Sequence, residues 1–199
     1  MSAKTQNMNC YILAGGKSSR MGTDKGILEI NGKKIISYVI DIVKPLFKKT
    51  IIVSTNKDYA DFGLEMIEDK IKNVGPAGGI YTALSHSQTE QNFILSCDMP
   101  FVTTKSIEYV AENSVEKDVT VPIYKNKIEP MFAVYATKCV DDWKKAIDEN
   151  VLKLQNIMYR LQTKEINCDV NILFNDDVFF NINSKEDLKL AENKIKHGN

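Results

Sequence analysis

The chain has 199 residues, enough for one compact domain to bury a core without disulfide or metal support. Its 26 basic and 26 acidic residues cancel to a formal net charge of zero, so bulk electrostatics does not point to a polyanion such as nucleic acid, and any anion has to be held locally. Four widely spaced cysteines without a C-x-x-C pair, a polar stretch before Asn9 and the absence of an apolar run of membrane-spanning length predict reduced thiols, no membrane partner and a cytoplasmic location.

In chain order, Asn9 to Leu13 is an apolar run that stops at a glycine pair, the pattern of a central strand feeding a loop. Ile27 to Ile30 with Asn31-Gly32 reads as a short strand and turn. Ile35, Ile36, Val39, Ile40 and Val43 then recur at helical spacing until Pro45. A β-branched strand follows at Thr50 to Ser54, a helix at Gly79 to Ser87 and a strand at Asn92 to Asp98. Thr104 to Asn113 reads as a helix capped by Thr103 or Thr104. Asp118 to Pro122 and Met131 to Tyr135 read as strands around the turn at 124–127. Helical patterns occupy Lys138 to Glu149 and Val151 to Gln162, a strand falls near Val178 to Asn181, and a last helix runs from Ser184 to Lys196. Without linker or repeat, this alternation predicts a single α/β domain over 1–199, a three-layer sandwich with a mostly parallel, Rossmann-like sheet and ligands at the carboxyl ends of its strands.

The segment Leu13-Ala14-Gly15-Gly16-Lys17-Ser18-Ser19-Arg20-Met21-Gly22-Thr23-Asp24-Lys25 holds the clearest chemistry. Backbone N–H groups can wrap a polyphosphate only where no Cβ blocks the approach, and Gly15, Gly16 and Gly22 meet that need. Arg20 supplies a planar fork and Lys25 a point charge against the three to four negative charges of such a ligand. Two common nucleotide motifs fail on spacing. A Walker A loop requires glycine five residues before Gly16, where Tyr11 stands, and Gly15 to Arg20 lacks the second and third glycines of the dinucleotide fingerprint.

The same segment resembles the loop of the molybdenum cofactor guanylyltransferases, L-A-G-G-x-S-x-R-M-G-x-D-K, at every fixed position. The resemblance continues through Asn56, Asp69, Gly75-Pro76-Ala77-Gly78-Gly79-Ile80, Ser96-Cys97-Asp98-Met99-Pro100-Phe101, Glu129-Pro130-Met131-Phe132-Ala133-Val134-Tyr135 and Asn181-Ile182-Asn183-Ser184-Lys185-Glu186-Asp187-Leu188. The chain departs from the family in having Ala77-Gly78-Gly79 where L-A-G is usual, Met131 where Leu is usual, and Ser184 for Thr. A cytidylyl or sugar-phosphate nucleotidyltransferase of the same fold, and a nucleotide-binding module without turnover, stand as alternatives.

The resemblance implies a sheet of the nucleotidyltransferase type and a reaction in which the terminal phosphate of molybdenum-molybdopterin attacks the α-phosphorus of GTP and pyrophosphate leaves. Such a nucleophile is already anionic, so positioning and charge neutralisation matter more than a base, and His86 reads as a solvated helix residue. The implied nucleotide contacts are Leu13, Ala14, Gly15, Gly16, Lys25, Asn56, Asp69, Gly78 and Asp98, with Arg20, Lys25 and Asp98 catalytic. Asp98, leaving the apolar strand, is the expected Mg²⁺ ligand, since that ion takes one carboxylate together with phosphate oxygens and waters. A carboxylate such as Asp69 can accept from the adjacent N1–H and 2-amino groups of guanine, a donor pair that cytosine lacks. Asn181 and Asn183 are expected at the acceptor pterin, and transient contact with molybdoenzymes or their chaperones is expected at delivery.

Overall fold

A computed structural model describes residues 2–15 and 24–197. Its elements in chain order are β1 (Asn9–Leu13), β2 (Glu29–Ile30), β3 (Lys33–Lys34), α1 (Ile35–Val43), β4 (Lys49–Val53), β5 (Glu65–Ile67), α2 (Pro76–His86), β6 (Gln91–Ser96), α3 (Thr104–Asn113), β7 (Val119–Tyr124), β8 (Lys127–Ile128), β9 (Phe132–Ala136), α4 (Val140–Asp148), α5 (Leu154–Met158), β10 (Thr163–Asn167) and α6 (Lys185–His197). The main sheet has the order β10-β7-β9-β6-β1-β4-β5, with β8 hairpinned onto β7. β5, β4, β1 and β6 run parallel, as do β10 and β7, while β9 is antiparallel to both its neighbours.

Every residue of β1 is buried, because both faces of the sheet are covered. Alternate side chains serve alternate layers. Cys10, Ile12, Ile52, Phe93 and Leu95 pack beneath α1 and α3, and Tyr11, Leu13, Ile51, Val53 and Ile94 pack against α2, α4 and α5. The result is the three-layer sandwich that the alternating pattern predicts. Trp143, fully buried, donates from Nε1 to the carbonyl of Ala77 at 2.9 Å and ties α4 to the first turn of α2. A third apolar cluster of Ile30, Ile35, Ile182 and Ala191 fixes α6 against the β2–β3 hairpin.

The chain leaves β1 for β4 and β5 on one side, then returns to place β6 on the other. The carboxyl ends of β1 and β6 therefore flank the point where strand order reverses, which opens a crevice in sheets of this class.

Four local expectations differ from the structure. Helix α2 starts at Pro76, three residues before Gly79, because Pro at the first helical position brings a pre-set φ and lacks only an N–H that would have no helical partner. The pattern at Val151 to Gln162 yields only the short α5, and its tail leads into the unanticipated edge strand β10, where Ile166 alone is buried. Residues 178–181 form no strand. Phe179 is held in an aromatic cluster with Phe174, Tyr124 and Phe132, and Phe180 meets Phe101. β5 was likewise not anticipated, being three residues long and only partly buried. The four cysteines are free and buried, as their apolar surroundings predict.

Candidate active site

A cavity of about 660 Å³ lies at the reversal point. Its lining includes Leu13, Ala14 and Gly15 from the end of β1, Asp24 and Lys25 beyond the loop, Asp69 and Gly75 on the β5–α2 connection, Ser96 and Asp98 at the end of β6, and Asn181 from the C-terminal segment. Sequence positions 13 to 181 are thus gathered by topology. Gly16 and Arg20 lie outside the described residues.

One end of the cavity is a closed polar network. Asp98 is nearly buried, and its Oδ1 accepts the Ser96 hydroxyl at 2.5 Å. Its Oδ2 lies 3.3 Å from the Lys25 ammonium, whose Nζ also donates to Asn183 Oδ1 at 2.5 Å. The backbone carbonyl of Asp98 accepts the Ile182 amide at 3.0 Å, so the segment carrying Asn181 and Asn183 is bonded directly to the strand end that carries Asp98. Behind Lys25, Asp24 caps the 3₁₀ turn Lys25–Ile27 by accepting Gly26 N–H at 3.2 Å, and it also takes the Tyr59 hydroxyl at 2.5 Å and the Asn56 amide at 3.3 Å.

The other end is open. Asp69 Oδ1 is buried and has no hydrogen-bond partner among the described residues, and its burial raises the carboxyl above the ordinary aspartate range. An orphan acceptor is costly unless something fills it, which marks this oxygen as a place for a donor. The neighbouring turn has Gly75 at φ 62°, ψ −149°, a region essentially confined to glycine. Gly78 does not line the cavity. A Cβ there would lie 2.7 Å from the Ile71 carbonyl oxygen and 2.7 Å from Val74 Cγ2, so its lack of a side chain lets α2 seat against the segment from Ile71 to Val74.

Asn56 is also away from the cavity lining. Its Oδ1 accepts Asp58 N–H at 3.0 Å at the start of a 3₁₀ turn, and its amide goes to Asp24. Asn183 reaches the site through Lys25, and Asn181 lines the cavity itself. His86 corrects the expectation of a solvated side chain. It is only partly exposed, with Nδ1 3.0 Å from the Tyr11 hydroxyl and Nε2 3.1 Å from Glu65. Tyr59 and Ile71 escape sequence reading, and Ser96 and Met131 enter it only as members of longer segments with no role assigned. Their roles arise from contacts distant in the chain, and no local spacing announces them.

Three carboxylates, Asp24, Asp69 and Asp98, line the cavity, yet among the described residues no group of three His, Cys, Asp or Glu could form a protein-only metal cage. Cys97 is a neutral thiol whose ionisation is opposed by burial and by Asp98 and Asp24. The donor chemistry fits a hard cation held by one carboxylate together with phosphate oxygens and waters.

A mostly parallel sheet with a charged crevice at its reversal point, flanked by glycine turns, defines a nucleotide-binding α/β protein. The family model of the MobA-like NTP transferase domain matches residues 10–164. A probable molybdenum cofactor guanylyltransferase of Flavobacterium johnsoniae is 34% identical over 184 residues, covering 92% of this chain and 95% of the relative. Another from Natranaerobius thermophilus is 33% identical, covering 94% and 96%. Among solved structures, molybdopterin-guanine dinucleotide biosynthesis protein A of Archaeoglobus fulgidus superposes with a TM-score of 0.82 at 29% identity, covering 95% of this chain and 99% of that one. The chain belongs to the MobA-like NTP transferase family and is a nucleotidyltransferase.

Proposed function

We propose that the protein transfers GMP from GTP to the terminal phosphate of molybdenum-molybdopterin, forming the guanine dinucleotide cofactor and pyrophosphate. The attacking phosphate oxygen forms a bond to the α-phosphorus while the α–β phosphoanhydride bond breaks and its electrons leave with pyrophosphate. The observation that carries the reading is the unsatisfied Asp69 oxygen in the same cavity as the Lys25–Asp98 pair, within a family whose named relatives are guanylyltransferases.

In this reading the end of β1, Leu13 to Gly15, together with Gly16 and Arg20 cradles the triphosphate. Lys25 neutralises charge at the reacting phosphates. Asp69 accepts the guanine N1–H and 2-amino donors beside the Gly75 turn. Asp98 holds Mg²⁺, which when bound offsets negative charge on the phosphates. Asn181 and Asn183 lie on the acceptor side and position the pterin phosphate. Gly78 serves the nucleotide indirectly, through the fit of α2 against the segment carrying Asn73 and Val74. Asn56 serves the nucleotide through Asp24, to which its amide donates.

Residues 1–199 work as one nucleotidyltransferase domain in the cytoplasm, handing product to molybdoenzymes or their chaperones by transient contact. Nucleic acid and membrane have no part. Among the described residues no helix is long and apolar enough to cross a membrane. A panel of GTP, CTP, ATP and UTP with Mg²⁺ and molybdenum-molybdopterin, followed by pyrophosphate release, tests the assignment. GTP is expected to be the preferred donor, and a preference for CTP would overturn it.

A further inference from the structure

We propose that Tyr59 is a positioning residue for nucleotidyl transfer, acting through Asp24 to hold the Lys25 ammonium in the cavity. The inference rests on the transferase reading above, but it concerns a residue 34 positions from Lys25 in sequence and absent from the cavity lining.

The Tyr59 side chain is fully buried and projects from the 3₁₀ turn Lys57–Phe62. Burial and the adjacent Asp24 and Cys97 oppose loss of its proton, so the hydroxyl remains a donor. It donates to Asp24 Oδ1 at 2.5 Å, the oxygen that also accepts Gly26 N–H. Asn56, which caps the same turn, donates to the other oxygen, Oδ2. Asp24 is therefore gripped from one side by the turn after β4, while on its other side it fixes the backbone on which Lys25 is mounted.

A steric observation leads to the same place independently. A Cβ on Gly26 would sit 2.4 Å from the Tyr59 hydroxyl oxygen and 3.1 Å from Cys97 Sγ. The phenol thus lies directly beneath the residue after Lys25 and beside the residue before Asp98. Hydroxyl, carboxylate and backbone together set the distance between the ammonium and the Asp98 carboxylate. The ring itself packs in the core beside Phe62, and phenylalanine would retain that packing and lose only the oxygen that contacts Asp24.

A double-mutant cycle on the full chain tests this, with Tyr59→Phe, Lys25→Ala, the double variant and the wild type. Each is measured for pyrophosphate release and for equilibrium GTP affinity in the presence of Mg²⁺. Tyr59→Phe is expected to lower kcat/KM about tenfold, the scale of one hydrogen bond to a charged group, with the thermal midpoint shifted by only a few degrees. In the Lys25→Ala background the same change is expected to have no further effect. Additive losses in both backgrounds would overturn the proposal, as would an unchanged kcat/KM in Tyr59→Phe.

Asp24→Asn provides a second route if Tyr59→Phe folds poorly. It is expected to be non-additive with Lys25→Ala, and additivity there also overturns the assignment. If the wild type prefers CTP, the guanylyl reading fails while the cycle, run with CTP, still decides the role of Tyr59. If the wild type releases no pyrophosphate, the reading fails and the cycle is decided on nucleotide affinity.

Discussion

The two ends of the cavity are built on opposite principles. At the Lys25–Asp98 end both Asp98 oxygens and both Asp24 oxygens are already engaged, by Ser96, Lys25, Tyr59, Gly26 and Asn56. At the Asp69 end a buried oxygen waits without a partner among the described residues. Electrostatic positioning profits from groups fixed before the ligand arrives, since nothing then has to reorganise during the reaction. Base recognition profits from the reverse, because an acceptor that only the correct donor satisfies penalises every other base.

The sharpest way to break the engaged end is Asp98→Ala. It is expected to reduce turnover roughly 1000-fold, the upper range for removal of a single electrostatic contributor, while the circular dichroism spectrum is unchanged. Turnover within tenfold of wild type would remove Asp98 from the reaction. Lys25→Ala leaves the fold intact and is expected to weaken GTP binding by about 10- to 100-fold, as read by calorimetry, because it removes a charge-assisted contact to phosphate.

The open end depends on the turn before α2. Gly78→Ala should destabilise the protein by about 1–3 kcal/mol in urea unfolding, since the new methyl meets a backbone oxygen and Val74 at 2.7 Å. An unchanged midpoint would mean that the 71–74 segment moves aside freely.

The smallest effect concerns Glu129, two residues before the cavity-lining Met131. Burial raises its pKa to about 7, partly opposed by Lys127. A raised carboxyl pKa means that the folded state binds the proton more tightly than the unfolded chain. Its stabilising contribution is present in full below about pH 4.5, the ordinary glutamate value, and lost as pH rises through about 7. Glu129→Gln, which cannot ionise, should therefore lose less stability than the wild type between pH 5 and pH 8 in paired urea titrations.

Much of the engaged end was legible because its parts are contiguous in sequence or stand at the end of a strongly apolar strand. Lys25 follows the glycine loop, and Asp98 terminates Phe93-Ile94-Leu95. The helices α1 and α3 were legible for a similar reason, in that one buried face writes its period into the sequence. What escaped was set by distant contacts. The bond from the Asn56 amide to Asp24 joins residues 32 positions apart, and no local pattern announces it. β10 carries one buried side chain and has almost no apolar pattern to read. The aromatic cluster around Phe179 mimics a strand in composition, although ring packing sets its conformation.

The most direct measurement of the central claim compares equilibrium affinities of GTP, ITP and CTP for the wild type and Asp69→Asn across pH. ITP lacks the 2-amino group, so the wild type should bind GTP more tightly than ITP by about tenfold or more, and CTP more weakly still. That preference should fade as pH falls through the raised Asp69 pKa and the carboxylate is protonated, and it should be lost at every pH in Asp69→Asn. Equal binding of GTP and CTP by the wild type, or an Asp69→Asn variant that keeps the full preference for GTP, would contradict the account.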